Sequence, residues 1–95
     1  MKNAKTLNGT LTKWVINLHQ QGYTDDFLTL HGKRLQCVQN GESFSMEELS
    51  IKVIDQGFDH LTKTYKYVHA IDTQNGGKGI LIADAIFCTP TQYVN

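Results

Sequence analysis

A nearly unbroken apolar run at positions 79–88 sets the strongest limit on what this chain can fold into. The run is too short to cross a bilayer as a helix, is rich in β-branched side chains and follows the turn-forming sequence Asn75-Gly76-Gly77, so it predicts a buried strand. Its single charged residue is Asp84. Because a carboxylate in such surroundings must be hydrogen-bonded, paired with a cation or open to solvent, Asp84 is a candidate site residue.

Length and charge restrict the class of protein. The 95 residues suit a single α+β domain over 1–95, and nine basic residues balance nine acidic ones. The lysines are scattered, so neither a nucleic acid nor a membrane surface is an expected partner. No apolar segment of signal-peptide length follows the basic start, and two cysteines make no disulfide framework. We therefore expect a cytoplasmic protein in which Cys37 and Cys88 are reduced, small and buried.

The N-terminal part of the chain predicts one amphipathic helix. It begins at Leu7 or Leu11, because two threonines are possible N-caps, and runs to Gln21, where Gly22 serves as the residue that ends it. Trp14 is the expected anchor in the core. The apolar stripe consists of Leu7, Leu11, Trp14, Val15 and Leu18.

Five strands are predicted after the helix, at 27–31, 34–38, 51–58, 64–72 and 79–88. Ser45 and Glu48 have capping-box spacing, which predicts one helical turn before the third strand, and Gly57 indicates a bulge within it. Because no second long helix is available as a parallel crossover, we expect an antiparallel sheet with the helix across one face.

Tyr67, His69 and Asp84 form the candidate ligand-binding site. If Gly76-Gly77 is the turn of the last hairpin, His69 lies opposite Asp84, whereas an Asn75-Gly76 turn sets Tyr67 opposite it. All three share a face in either register, because side chains alternate along a strand. A polar pocket in which Asp84 orients His69 and a purely structural pair both fit this pattern.

Other kinds of site find little support in the sequence. The four histidines and two cysteines are not at metal-ligand spacing. The glycines and lysine at 75–79 precede a strand, whereas a phosphate-binding loop precedes a helix and has a Ser or Thr after its lysine. No serine has an activating setting. We expect no metal, no cofactor and no catalytic residue.

Two segments carry a resemblance to other proteins. Gly-Tyr-Thr-Asp-Asp-Phe at 22–27 and Lys-Gly-Ile-Leu-Ile-Ala-Asp-Ala at 78–85 resemble a group of short, uncharacterised bacterial proteins with a GYTxDF motif, some of them labelled phosphoribosyl pyrophosphate synthetase. That label implies a phosphate-cradling loop with two adjacent acidic residues and a glycine-rich turn. Here the apolar run has one acid, Asp84, and a proline follows it at Pro90. The group brings no established function.

The two faces of the last hairpin predict association. Small residues on one face leave room for the helix, so the isoleucine and tyrosine face needs another cover. Either the sheet curls and the segment near Ser45 folds over that face, or a second copy does. We predict a non-catalytic protein that acts through association as a homodimer. The alternative is a small-molecule or sugar-phosphate binding protein, or weak enzyme, using Tyr67, His69 and Asp84. The uncovered face comprises Tyr65, Tyr67, Ile71, Ile80, Ile82 and Ile86, and the helix face Val68, Ala70, Leu81, Ala83, Ala85 and Phe87.

Overall fold

A computed structural model of the chain describes residues 9–87, which form one helix and a six-stranded sheet. The predicted α+β class, with a helix packed on a sheet, is confirmed. The strand order across the sheet is β3-β2-β1-β6-β5-β4. In chain order the elements are α1 (Gly9–Gln20), β1 (Asp25–Leu30), β2 (Arg34–Cys37), β3 (Ser43–Ser45), a 3-10 turn (Met46–Glu48), β4 (Leu49–Asp59), β5 (Thr64–Thr73) and β6 (Lys78–Ala83).

The sheet is mixed, and the prediction of five antiparallel strands was wrong in two respects. First, β1 and β6 are parallel neighbours, with Phe27 beside Leu81. The prediction assumed that a parallel pair needs a helical crossover, whereas here strands β2 to β5 make the connection. Second, β3 is an additional edge strand paired with β2. Its three residues are too few to display a recognisable alternation.

The end of α1 matches the sequence prediction. Gly22 has a φ of 100°, which lies in the left-handed region that glycine adopts without a Cβ penalty. The N–H of Gly22 donates to the carbonyl of His19 at 3.1 Å, and the N–H of Tyr23 donates to that of Leu18 at 2.9 Å. These two bonds form a Schellman motif, which satisfies carbonyls at the helix terminus and turns the chain towards β1.

The chain length between β3 and β4 requires a strongly curled sheet. These strands form opposite edges, and a flat sheet of this size would separate them by about 24 Å at ~4.8 Å per strand. The four steps from Ser45 to Leu49 span at most about 14 Å. The edges therefore approach each other through the 3-10 turn, in which the carboxylate of Glu48 accepts the N–H of Ser45 at 3.0 Å. This turn confirms the helical turn predicted there.

Curling gives the sheet a concave face filled by its own side chains. The buried residues of this face come from five strands, and Phe44 and Met46 pack against them from β3 and the 3-10 turn. The sheet curls and the segment near Ser45 folds over its concave face, but of the isoleucine and tyrosine face predicted to need this cover, only Ile71 is a buried member of that core. The buried members are Phe27, Leu35, Cys37, Leu49, Ile51, Ile71 and Leu81.

Helix α1 covers part of the opposite, convex face. Four members of its predicted stripe, Leu11, Trp14, Val15 and Leu18, pack on the sheet, but against a set of residues that differs from the predicted face. The fifth member, Leu7, lies outside the described residues. Leu81 and Ala83 belong to the concave face, while Ala85 is exposed. The sheet residues under the helix are Ile54, Val68, Ala70, Ile80 and Ile82, joined by Tyr23.

Candidate functional site

The turn between β5 and β6 separates Asp84 from the other two predicted site residues. The N–H of Thr73 donates to the carbonyl of Gly77 at 2.8 Å, so the loop has three residues and ends at Gly76, which has a φ of 94°. Each predicted two-residue turn would place Asp84 on the same face of the sheet as Tyr67 and His69. The third loop residue shifts the pairing by one position, which exchanges the two faces of β6 relative to β5. The register sets His69 opposite Leu81 and Tyr67 opposite Ala83.

Asp84 is exposed and lies just beyond the end of β6. The predicted buried strand over 79–88 is therefore six residues, Lys78–Ala83, and its last predicted residue, Cys88, lies outside the described residues together with Pro90. Exposure removes the reason for giving Asp84 a partner, since water solvates the carboxylate. The structure brings Tyr67 and His69 onto one face and leaves Asp84 apart from them.

His69 is the buried polar centre of the concave face. Its side chain has no exposed surface and both ring nitrogens have backbone partners. Nδ1 lies 3.1 Å from the carbonyl oxygen of Leu81, and the N–H of Phe87 donates to Nε2 at 3.0 Å. Since a carbonyl only accepts and an amide only donates, the ring carries its proton on Nδ1 and is neutral. The Phe87 ring also packs edge-on against it, with centroids 5.8 Å apart.

Burial is the main influence on the titration of His69. Loss of solvent lowers the pKa of the imidazole from its ordinary 6.5, because the charged form loses its hydration. The carbonyls of Leu81 and Tyr67 favour the protonated ring and offset part of this effect. The imidazole thus stays neutral under ordinary conditions, and being enclosed, it is out of reach of a ligand on the surface.

Tyr67 lines a shallow groove instead of sharing a pocket with His69. The groove has a volume of about 320 Å³ and lies where the C-terminal segment passes the middle of β4. Tyr67 is half-buried, whereas Val53 and Ile86 are largely exposed, so two of the walls are apolar. The lining residues are Val53, Ile54, Asp55, Gln56, Tyr67 and Ile86.

Asp55 is the acidic residue of this groove, and the sequence reasoning missed it. The bulge in β4 falls at Ile54, where the register shifts, and not at the predicted Gly57, which pairs regularly with Lys66. Asp55 accepts the N–H of Gln56 at 2.7 Å and the indole N–H of Trp14 at 2.8 Å. These hydrogen bonds, in that order, lower the pKa of the carboxyl, so Asp55 is an anion. Nothing in the sequence marks the bulge at Ile54, so the contact between Asp55 and Trp14 could not be predicted from it.

The two segments that carry the family resemblance meet in space. Besides the parallel pairing of β1 with β6, the hydroxyl of Tyr23 donates to the carboxylate of Asp72 at 3.0 Å, and Lys78 pairs with the same carboxylate at 2.8 Å. The Lys78 ammonium also lies 4.8 Å from the centre of the Tyr23 ring. Burial and the Asp72 carboxylate raise the pKa of Tyr23, and Asp72 raises that of Lys78. This cluster fastens the start of β1 to the β5–β6 hairpin.

A second shallow cleft lies at the opposite end of the molecule, with a volume of about 310 Å³. Glu48 in its wall already accepts the N–H of Ser45, and Glu42 accepts the side-chain N–H of Asn40 at 3.4 Å. Both carboxylates in the wall thus accept hydrogen bonds from residues close to them in the sequence. The lining residues are Glu42, Ser43, Phe44, Glu48, Gln74 and Asn75.

Within residues 9–87, no group of His, Cys, Asp and Glu side chains has the geometry to hold a metal ion. No helix in the same part of the chain has the length and apolar character needed to cross a membrane. Cys37 is a free, buried thiol. Comparison with protein-family models, curated proteins and solved structures finds no match for this chain.

Proposed function

We propose that this chain is a small, non-catalytic cytoplasmic protein that acts through association and forms a homodimer. The observation that carries the proposal is an apolar surface on the convex face of β1 and β2, beside the part that α1 covers. Three of its side chains keep a large exposed fraction: 41% for Leu28, 38% for Leu30 and 53% for Val38. The surface differs from the one expected from the sequence: of that face, Ile80 and Ile82 lie under α1 and Ile71 lies in the concave core.

The packed interior supports a non-catalytic role. The buried polar side chains of the described residues, His69 and Asp59, are both hydrogen-bonded to neighbouring protein groups. The segments that resemble other bacterial proteins hold strands together through Tyr23, Asp72 and Lys78. A free buried thiol at Cys37 suits the reducing cytoplasm.

The arrangement of the surface suits a second copy of the same chain. Leu28 lies opposite Gln36 and Leu30 opposite Arg34, while Val38 lies beside Asp26, whose carbonyl accepts its N–H at 2.8 Å. The apolar residues are thus flanked by one acidic and one basic residue at diagonally opposite corners. A two-fold axis in the plane of the surface and perpendicular to the line from Asp26 to Arg34 brings Asp26 of each copy to Arg34 of its partner and Leu28 close to its own copy. This self-complementary charge pattern is the reason for choosing a second copy as the occupant.

Replacing Leu28 with lysine is expected to separate the dimer, because it sets two like charges near the two-fold axis. The measurement is light scattering across a micromolar concentration series, with twice the chain mass of 10.7 kDa expected for the parent protein. Leu61→Lys is the matched control, since Leu61 is 64% exposed and lies in the connection between β4 and β5. A parent protein that stays at 10.7 kDa at every concentration would overturn the homodimer.

The groove beside Tyr67 supports the alternative function in an altered form. It keeps Tyr67 of the predicted site and adds the Asp55 carboxylate, whereas His69 is enclosed. An anion beside exposed apolar walls favours a small organic cation and disfavours a sugar phosphate, because like charges repel. The second candidate is therefore a binding protein for a small organic cation with an apolar body.

Trp14 provides a direct test of that alternative. It is the single tryptophan of the chain and donates to Asp55, so a cation at this carboxylate is expected to change its fluorescence. Phenethylamine is the cationic probe and ribose 5-phosphate the anionic one. The alternative requires saturable changes with phenethylamine that Asp55→Asn abolishes and Asp84→Asn preserves. Saturation with ribose 5-phosphate alone would instead support the sugar-phosphate form.

A further inference from the structure

We propose that residues 84–87 form an acid-sensitive strap: neutral His69 fastens it across the mouth of the concave face, and protonation of that ring releases it. This inference is independent of the homodimer. It rests on one buried imidazole whose two hydrogen bonds fix its protonation state.

The strap is held mainly at its last described residue. Asp84, Ala85 and Ile86 are exposed, while Phe87 is half-buried and packs against the concave core. Among the hydrogen bonds between described residues, the Phe87 N–H to His69 Nε2 bond fastens this segment. Within residues 9–87, the strap is thus fastened by one hydrogen bond and one aromatic side chain.

Protonation of His69 is incompatible with the closed strap. A proton added to Nε2 would face the N–H of Phe87, so two donors would meet at 3.0 Å. The other nitrogen keeps its bond to the Leu81 carbonyl in either charge state. Opening the strap lets water reach Nε2 and solvate the charged ring, whereas closing it selects the neutral ring.

No charged side chain compensates a protonated His69 within the described structure. Val53 faces it from β4 and Leu81 from β6, while the strap contributes Phe87. On the concave side, the titratable groups of the surrounding elements are Asp25 of β1, the Cys37 thiol of β2, the Tyr65 and Tyr67 phenols of β5 and the exposed Asp84 of the strap. Asp55 bonds to Trp14 on the convex side. The carbonyls of Leu81 and Tyr67 favour the charged ring, but in the closed strap Nε2 still faces the N–H of Phe87, so the charge is best accommodated when the strap opens to water.

The direction of the pH dependence follows from these contacts. The closed state depresses the pKa of His69 below its ordinary 6.5, so the open state binds the extra proton first. The strap is most firmly closed above pH 6.5. Below that pH the open fraction rises up to tenfold for each pH unit, until the pH reaches the pKa of the closed state.

Amide hydrogen exchange of Phe87 between pH 7.5 and 5.5 tests the strap. We expect its protection factor, corrected for intrinsic exchange, to fall by up to tenfold per pH unit and to be insensitive to low urea. Ala70 in the centre of β5 is the reference, since it exchanges by a larger opening that urea promotes. Equal protection and equal urea dependence at both amides, or constant protection of Phe87 across this pH range, would overturn the proposal.

Two variants and one spectroscopic measurement complete the test. His69→Gln keeps an acceptor for Phe87 but does not titrate, so the pH dependence should disappear, whereas His31→Gln in an exposed turn should retain it. Fluorescence of an apolar dye should rise below pH 6.5 in the parent protein and not in His69→Gln. If that variant does not fold, the ¹⁵N chemical shifts of His69 in the parent protein test the strap instead, because they show which ring nitrogen carries the proton. A proton on Nε2 at pH 7.5 would overturn the proposal.

Discussion

Replacing Gly79 with alanine is expected to lower the free energy of unfolding by about 1–3 kcal/mol, the usual range for overpacking a well-packed core. A Cβ at this position would lie 2.5 Å from the Phe27 ring and 2.9 Å from the carbonyl oxygen of Asp25. The first neighbour is a buried ring and the second is backbone, so neither can move freely. The close approach exists because Gly79 lies beside Asp25 in the parallel β1–β6 pair.

Urea unfolding of Gly79→Ala therefore tests the least predictable feature of the sheet. Gly9→Ala is the matched control, because a Cβ there meets nothing within 4 Å at the start of α1. The control is expected to be neutral or slightly stabilising, since alanine favours a helix over glycine. Equal stability of the two variants would mean that β1 does not pack against β6 as described.

The local elements were predictable because each has its own chemical signal. The apolar stripe and Gly22 located α1, and alternation located most of β1, β2, β4 and β5 within a few residues. The parallel pairing of β1 with β6 had no such signal, since it joins segments far apart in the chain. Curling remained one of two alternatives at the level of sequence. The short connection from Ser45 to Leu49 requires a curled sheet only once β3 and β4 are known to be its two edges.

The prediction of the candidate site was wrong because the loop between β5 and β6 is one residue longer than expected. The predicted turns of two residues and the observed loop of three, ending at Gly76, differ by one step, and that step exchanges the faces of β6 relative to β5. The same error produced the wrong apolar face in the dimer argument. Asp55 was missed for a related reason, because the bulge at Ile54 redirects it to Trp14 without a glycine to mark the place.

His69→Ala is the second substitution expected to have a large effect. It removes the partners of the Leu81 carbonyl and the Phe87 N–H, each of which costs about 1–3 kcal/mol when left unsatisfied, for a total loss of about 2–6 kcal/mol. Urea unfolding at pH 7.5 measures this loss. The difference in stability between the parent protein and His69→Ala should shrink below pH 6.5. The pKa of His69 is lower in the folded protein than in the unfolded chain, so the unfolded chain takes up a proton first and the parent protein loses stability as the pH falls. The alanine variant has no such group and does not lose stability in this way.

Asp84→Leu is the companion of His69→Ala, since sequence reasoning paired the two residues. Asp84 is exposed beyond β6, so its replacement should change the free energy of unfolding by no more than about 0.5 kcal/mol. A large loss from both variants, with a double variant no worse than either alone, would restore the predicted pair and contradict the observed register. A large loss from His69→Ala alone is what a ring bonded only to backbone requires, because its partners are on Leu81 and Phe87.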